Sequence, residues 1–263
     1  MDLGLGNKVA LVAAASKGLG RAIAEAFAAE GASLVICARG RDELEAAKQS
    51  IEGSTGAKVH AIVADVSDAE QLAALSKEAL AKWGRIDVLV TNSGGPPSGP
   101  ATTHDWQRWD DAVKLLLRST VELTRAVLPG MQQRKWGRII NVTSIAVKQP
   151  VDNLILSNSI RSAVTGFART LANEVATDGV TVNNILPGYT RTERVEQLAD
   201  ATAAREGISK HDVVARFEGQ IPMRRLGEPK EFAALAAFLA SEQASYITGQ
   251  SIAVDGGWIK ALL

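Results

Sequence analysis

Two closely spaced glycines near the start of the chain have the pattern of a phosphate-binding turn. Gly18 and Gly20 follow an apolar run and open a segment with helical periodicity. Glycine lets the backbone approach a ligand closely, and the amides of a helix N-terminus attract phosphate. Their position between a strand and a helix therefore predicts a nucleotide-binding segment. It comprises Ala14, Ser16, Lys17, Gly18, Leu19 and Gly20.

The elements that must position this segment alternate regularly along the chain. Short runs rich in Val, Ile and Leu, typical of strands buried on both faces, occur at 8–13, 33–38, 58–63, 87–91, 138–143, 181–186 and 251–254. Longer segments of helical character lie between them, at 20–30, 42–53, 69–83, 106–133, 153–177 and 229–240. This order predicts one α/β domain, a doubly wound parallel sheet of seven strands with helices on both faces.

Two segments interrupt the alternation. Residues 93–103 form a Gly- and Pro-rich loop, and residues 187–219 form a long, mostly helical insertion. Both begin where a strand ends, at the edge where open parallel sheets bind ligands. We expect them to hold substrate, although ordinary surface connections would have the same appearance.

Composition excludes several classes of protein. The 263 residues include 29 basic and 29 acidic side chains, so no charge excess favours nucleic acid or an anionic membrane. One cysteine excludes an internal disulfide framework, and the three histidines show no metal-ligand spacing. The cysteine and histidine counts predict no bound metal, and the absence of a leader-like start and of a long apolar run predicts a cytoplasmic protein.

Further motifs follow in a diagnostic order. Asp65-Val66 follows the third strand, Asn92-Ser93-Gly94 the fourth, and Pro187-Gly188-Tyr189-Thr190-Arg191-Thr192 the sixth; the last strand is bounded by 249–250 and 255–257. With the glycine segment, they make the chain resemble the short-chain dehydrogenase/reductase family, and its 3-oxoacyl-acyl-carrier-protein-reductase-like members in particular. The resemblance implies a single Rossmann domain over 1–263, a nicotinamide cofactor, a substrate lid at 187–219 and a homotetramer.

The resemblance also implies which residues bind the cofactor. Besides the glycine segment, they are Arg39, Asp65, Val66, Asn92, Ser93, Gly94, Arg161, Pro187, Gly188, Thr190 and Thr192. Ala14 stands where the family usually has its first glycine, which is tolerable at negative φ and unfavourable by roughly 1 kcal/mol or more at positive φ.

The end of the second strand indicates which nicotinamide is used. An acidic residue there would bind the ribose 2′-hydroxyl of NAD. This chain has Arg39 instead, with Lys17 in the glycine segment. Two cations around a 2′-phosphate favour NADP(H) over NAD(H), unless both are simply solvated surface charges.

The catalytic positions depart from the family pattern. The resemblance assigns Ser144 to the family's serine, but Ser157 stands at the tyrosine position, Arg161 at the lysine position and Leu116 at the asparagine position. Ser157 and Arg161 lie one helical turn apart and face the same way. An aliphatic hydroxyl is a far weaker acid than an activated phenol, and a guanidinium that stays charged steadies an alkoxide without shuttling a proton.

Few other side chains could supply the proton. Tyr189 lies at the expected mouth of the site and is the one substitute phenol, although a lid or packing aromatic is the simpler interpretation. Tyr246 is expected to pack near the C-terminal motif. Lys148 could reach the substrate side, but a solvated loop lysine is the simpler interpretation.

Three functions are compatible with this sequence. The first is an NADP(H)-dependent oxidoreductase with an altered proton relay, acting on a ketone or 3-oxoacyl-like carbonyl compound or its alcohol. The second is a non-catalytic NADP(H)-binding sensor or partner subunit, favoured by the three altered positions. The third is another reaction on the same fold, such as dehydration or isomerisation. Apolar residues around more than one face of the 153–177 segment favour a homo-oligomer.

Overall fold

Seven parallel strands form the central sheet of the computed structural model, which describes residues 2–262. The strands are β1 (Val9–Val12), β2 (Ser33–Ala38), β3 (Val59–Val63), β4 (Val88–Thr91), β5 (Gly137–Val142), β6 (Val180–Pro187) and β7 (Ser251–Val254). Their order across the sheet is β3-β2-β1-β4-β5-β6-β7, and every neighbouring pair is parallel. The predicted doubly wound sheet is confirmed, and each predicted strand end lies within one residue of the observed one.

The strand order reverses direction between β1 and β4, and the site lies at this reversal. β2 and β3 extend from one side of β1, and β4 to β7 extend from the other. The loops after β1 and β4 therefore leave the sheet in opposite directions and open a crevice between them. The glycine segment and the 93–103 loop both begin at this crevice.

Nine α-helices surround the sheet within residues 2–262. They are α1 (Gly18–Ala29), α2 (Arg41–Thr55), α3 (Ala69–Trp83), α4 (Trp106–Ala112), α5 (Ser119–Gln133), α6 (Ile155–Val175), α7 (Glu193–Glu206), α8 (Lys210–Gln220) and α9 (Pro229–Ala240). None of these helices combines the length and apolar character needed to cross a membrane.

Each face of the sheet is covered by its own apolar cluster. On one face α1, α2 and α9 pack together, and the buried side chains of Ile23 and Phe27 from α1 join Phe232 from α9. On the other face α3, α5 and α6 cover the strands, with Leu75, Val127 and Leu171 buried among them. The near-continuous apolar strands follow from this double coverage.

The predicted helix at 106–133 has an irregular centre. α4 and α5 are joined without a break by a π-helical stretch, Val113–Arg118, in which Leu116 is buried. Single π-helical turns insert an extra residue and frequently occur near functional sites. No hydrophobic periodicity distinguishes this stretch, so the sequence predicted one regular helix.

The insertion at 187–219, which we call the lid, contains α7 and α8. Val195 from α7 and Phe217 from α8 pack with Trp258, which follows β7, in a third apolar cluster. The lid is thus anchored to the far edge of the sheet as well as to its own strand β6.

The apolar surface predicted for α6 is largely internal. Leu156, Val164, Ala168 and Leu171 are all buried within the subunit. These four residues therefore belong to the inward face, and the predicted helix-to-helix contact between subunits stays a prediction. The outward side instead carries small exposed residues and a half-buried Phe167.

Candidate active site

One cavity of about 580 Å³ lies at the carboxyl ends of the central strands. With the exception of Gly20, every residue predicted to bind cofactor or act in catalysis lines it: Ala14, Ser16, Lys17, Gly18, Leu19, Arg39, Asp65, Val66, Asn92, Ser93, Gly94, Ser144, Ser157, Arg161, Pro187, Gly188, Thr190 and Thr192. Segments spread over most of the sequence thus meet at one surface, as the strand order requires. The individual roles of these residues stay predictions.

The glycine segment presents free backbone amides to the cavity. α1 begins at Gly18, and its N-cap residue, Lys17, forms no side-chain capping bond. Gly18 has φ of 59° and Ala14 has φ of 50°, so both lie in the left-handed region. The unfavourable case anticipated for Ala14 is the one observed. Uncapped amides at the N-terminus of a twelve-residue helix fit a phosphate group.

Gly20 permits close packing at the start of α1. A Cβ atom at this position would lie 2.3 Å from the carbonyl oxygen of Ala14 and 2.8 Å from Nδ2 of Asn92. Gly20 is not among the residues that line the cavity, and the prediction that its backbone approaches a phosphate stays a prediction. Its glycine identity allows α1 to approach the end of β1.

Asn92 stabilises this wall from the neighbouring strand. Its side-chain amide donates hydrogen bonds to the carbonyl oxygens of Ala13, at 3.3 Å, and Ala14, at 3.4 Å. The amide therefore holds the turn that leads into the glycine segment. A carboxylate at this position would lack the N–H donors that both carbonyls use.

Charged side chains at the nucleotide end of the cavity pair with one another. Nζ of Lys17 lies 2.5 Å from Glu193 of the lid and 3.6 Å from Glu43 of α2. Arg39 lies 4.0 Å from Asp65, and its side chain is 80% exposed. The hydrogen bond that Lys17 donates to the carboxylate of Glu193 raises the pKa of Lys17, so Lys17 is a cation at neutral pH. Glu43 and Glu193 were missed by the sequence analysis, because only the fold brings them to Lys17.

The opposite end, which we call the reacting end, combines two hydroxyl groups with a buried cation. Oγ of Ser144 accepts a hydrogen bond from the amide of Ala146 at 3.1 Å. Ser157 on α6 is 7% exposed and lines the cavity. Arg161, one turn further along α6, is 8% exposed, and its Nη1 donates to the carbonyl oxygen of Val142 at 2.8 Å.

Burial weakens the basicity of Arg161. Removal of the guanidinium from water, with a smaller contribution from the nearby charge of Arg194, lowers the pKa of Arg161 to about 10. The side chain is still a cation at neutral pH. It can therefore form an ion pair with a negatively charged group of a ligand in the cavity, but it is a poor proton donor at that pH.

The remaining candidate proton donors occupy unsuitable positions. Tyr189 lines the cavity but stacks on Phe217 at 4.3 Å between ring centroids, and burial raises its pKa. This supports the interpretation of Tyr189 as a lid aromatic. Lys148 is exposed and outside the cavity lining. Tyr246 is fully exposed, so the prediction that it packs near the C-terminal motif was wrong.

Arg194 is the most important residue that sequence reasoning missed. It is the second residue of α7, lines the cavity, and donates from Nη2 to the carbonyl oxygen of Pro96 at 2.9 Å. A Cβ atom at position 95 would lie 2.6 Å from its guanidinium, so Gly95 makes room for it. No local pattern could have shown that the start of the lid folds back over the 93–103 loop.

Known proteins share this architecture over nearly their whole length. The model of a family described as enoyl-(acyl carrier protein) reductase matches residues 13–259. An NADPH-dependent reductase, BacG of Bacillus subtilis, is 34% identical over 262 residues, covering 98% of this chain and 100% of the relative. The 3-oxoacyl-acyl-carrier-protein reductase FabG of Escherichia coli is 33% identical over 251 residues, covering 95% and 97%.

The chain belongs to the short-chain dehydrogenase/reductase family. A solved structure of L-sorbose reductase from Gluconobacter frateurii, complexed with NADPH and L-sorbose, superposes with a TM-score of 0.94 at 34% identity and covers 100% of both chains. The predicted family membership and Rossmann fold are confirmed. The preference for NADP(H) predicted from Lys17 and Arg39 agrees with the NADPH named for these reductases of the short-chain family.

Proposed function

We propose that this short-chain family member is an NADP(H)-dependent oxidoreductase that transfers a hydride between the cofactor and a carbonyl compound or its alcohol. A ketone or a 3-oxoacyl-like compound is the substrate class that its relatives favour. The observation that carries the proposal is that one cavity is lined both by the glycine segment and by Ser144, Ser157 and Arg161.

The residues at the nucleotide end fit the cofactor. The uncapped start of α1 would bind the pyrophosphate, and Lys17 and Arg39 would bind the ribose 2′-phosphate. Asp65 and Val66 are proposed to contact the adenine, and Thr190 and Thr192 the nicotinamide carboxamide. When bound, NADPH would supply the hydride, and these residues would hold its nicotinamide beside the reacting end.

Ser144, Ser157 and Arg161 are proposed to act on the substrate oxygen. The hydroxyl groups donate hydrogen bonds to the carbonyl oxygen, and the guanidinium stabilises the negative charge that develops there. Oγ of Ser144 retains its own proton for this purpose, because its one intramolecular bond uses the oxygen as acceptor. Arg161 is also placed to bind the nicotinamide ribose.

Water within the cavity is proposed to deliver the proton. Reduction adds a hydride to the carbonyl carbon and a proton to the oxygen, which leaves the alcohol and NADP⁺. No phenol other than the stacked Tyr189 lines the cavity among residues 2–262. Loss of a positioned general acid typically lowers the rate by about 10²–10⁴-fold. We therefore expect slow turnover compared with relatives that have tyrosine at this position.

The test is NADPH oxidation with a panel of ketones, 3-oxoacyl thioesters and sugars, after cofactor binding has been confirmed by fluorescence. We expect turnover that Ser144→Ala decreases by about 10-fold or more while the Kd for NADPH stays constant. The Ser157→Tyr/Arg161→Lys double variant should be faster than the natural protein. Binding of NADPH without turnover at high protein concentration would contradict catalysis.

A non-catalytic cofactor sensor or partner subunit is the second candidate. Its specific support is the composition of the site. Ser157 and Arg161 stand at the tyrosine and lysine positions of the family, and buried Leu116 offers no polar group at the asparagine position. Activity in the double variant but none in the natural protein would favour this function. Reproducible turnover that depends on Ser144 would exclude it.

Lid, assembly and location complete the proposal. We propose that residues 187–219 cover bound substrate, because the start of α7 lines the cavity opposite the 93–103 loop. A homotetramer follows from the family resemblance. A cytoplasmic location accords with the single cysteine, Cys37, which is free and buried.

A further inference from the structure

The charges that line the cavity are distributed unevenly. At the nucleotide end, Lys17 pairs with two glutamates and Arg39 with an aspartate. Arg161 and Arg194 are the charged side chains that line the rest of the cavity, and both are cationic. Within the described residues 2–262, neither has a carboxylate within 4.0 Å. The reacting end therefore carries uncompensated positive charge.

This arrangement is unfavourable without a ligand. Each guanidinium retains one hydrogen bond to a main-chain carbonyl, from Arg161 to Val142 and from Arg194 to Pro96. Burial lowers the pKa of both side chains, and the charge of Arg194 lowers that of Arg161 further. Cations removed from water in this way are normally paired. An anion in the cavity would supply the missing partner.

The cofactor phosphates are a poor explanation for this charge. Their proposed binding groups are the start of α1, Lys17 and Arg39, which belong to the β1 and β2 side of the crevice. Arg194 instead rests on Gly95 and Pro96, in the loop after β4. Arg161 projects from α6 beside Ser157. Arg194 thus lies on the substrate side, and Arg161 lies at the reacting end, where cofactor and substrate meet.

Apolar side chains line the same cavity as the two arginines. Leu115, Val151, Leu154 and Leu198 line the same cavity. Such walls suit a carbon skeleton, and a guanidinium forms two parallel hydrogen bonds with a carboxylate or phosphate. The site combines the two features expected for an organic acid rather than for a neutral ketone or a sugar.

We propose that the substrate carries an oxyanion, a carboxylate or a phosphate, on the same skeleton as its carbonyl group, and that Arg194 binds that oxyanion with Arg161 beside it. This inference rests on the proposed function and specifies its substrate class. Arg194 acts as a specificity residue, while Ser144 and Ser157 face the carbonyl oxygen. The substrate is then a small oxo acid or a phosphorylated ketone.

The test compares acids with matched neutral compounds in the presence of NADPH. The acids are 2-oxobutanoate, 3-oxobutanoate and 4-oxopentanoate, each against its methyl ester, and dihydroxyacetone phosphate is compared with dihydroxyacetone. We expect kcat/KM to favour the anion in at least one pair by about 10–100-fold, the range of a charge-assisted hydrogen bond. The pair with the largest preference for the anion shows whether the site favours a carboxylate or a phosphate.

Variants then assign the preference to Arg194. Arg194→Met should abolish most of the acid-to-neutral ratio and leave the Kd for NADPH constant, whereas Gly95→Ala should displace the guanidinium and reduce the ratio partly. Arg191→Met is the matched control, since Arg191 lies in the same segment but pairs with Glu228 at 3.0 Å outside the cavity lining. It should preserve the ratio.

A second measurement separates this inference from the proposed function. The thermal midpoint of the NADP⁺ complex should rise with the acids more than with the esters, even if no compound is reduced. Reduction of neutral ketones without preference for acids, and without a difference in midpoint, would overturn the inference but preserve the oxidoreductase. An increased Kd for NADPH in Arg194→Met, with an unchanged ratio, would assign Arg194 to the cofactor and overturn the inference as well.

Discussion

At the scale of single residues, the backbone of Ala14 is a source of strain. Its φ of 50° lies in the left-handed region, where a Cβ atom approaches the following carbonyl oxygen. We expect Ala14→Gly to raise the free energy of unfolding by about 1 kcal/mol and the thermal midpoint by about 2–4 °C. Ala13→Gly, at a buried neighbour without positive φ, is the control and should destabilise. Equal effects at both positions would contradict the strain.

Arg161 provides a pH signature for the altered site. With its pKa lowered to about 10 by burial, the guanidinium is charged across the neutral range and loses its charge above that value. If Arg161 stabilises the alkoxide and water supplies the proton, kcat/KM for reduction should be flat from about pH 6 to 9 and fall as the pH passes the pKa. A pH–rate profile of the natural protein measures this. A change in kcat/KM near neutral pH would reveal a different titrating group.

Arg39 should determine the preference for NADPH over NADH. Among residues 2–262, the one carboxylate within 4.0 Å of its exposed guanidinium is that of Asp65, which leaves the guanidinium able to bind a 2′-phosphate. We expect Arg39→Ala to raise the Kd for NADPH by about 10–100-fold and to leave that for NADH almost unchanged, as for loss of a charge-assisted hydrogen bond. Fluorescence titration measures both constants. Arg41→Ala, at the exposed start of α2, is the matched control.

At the scale of secondary-structure elements, α9 begins with an acid-sensitive junction. The carboxylate of Glu231 accepts from Arg225 at 2.6 and 2.8 Å and from the amide of Glu228 at 2.8 Å. The bond from Arg225, followed by that from Glu228, lowers the pKa of Glu231 from 4.5 to about 2. Because the folded pKa is depressed, this stabilisation is present above the unfolded pKa of 4.5 and disappears as the pH falls towards 2.

Glu231→Gln tests that junction. The natural protein should exceed the variant in free energy of unfolding at neutral pH, and the difference should shrink as the pH falls from 4.5 towards 2. Urea unfolding across that interval gives the difference directly. Glu174→Gln, at an exposed position on α6, should show no comparable change. A difference independent of pH would mean that the charge of Glu231 is irrelevant.

Strands were the easiest elements to predict, since double burial leaves consecutive apolar residues in the sequence. The cofactor segments were also predictable, because each directly follows a strand whose end faces the crevice. The π-helical stretch at Val113–Arg118 was not, as apolar spacing does not distinguish it from a regular helix. Arg194 and the packing role of Gly20 depend on contacts between distant segments. Such contacts leave no local pattern.

At the scale of the whole molecule, assembly is the main open prediction. The outward side of α6 carries exposed Ala163 and Gly166 beside half-buried Phe167, which would let two helices approach closely. We expect light scattering to give four times the chain mass of 27.8 kDa, and Phe167→Glu to reduce it. Lys77→Glu on the exposed side of α3 is the control. A monomeric mass for the natural protein would contradict the tetramer.

The packing of α9 on α1 has a consequence for biosynthesis. Ile23 and Phe27 leave the ribosome long before Phe232, which covers them. Until then the nascent chain presents an uncovered apolar surface, which is a target for chaperones and a site of premature association. Contacts that span so much of the sequence also slow the search for the native topology. We therefore expect the cofactor half of the sheet to become stable only when α9 has emerged, and not when the first strands are complete.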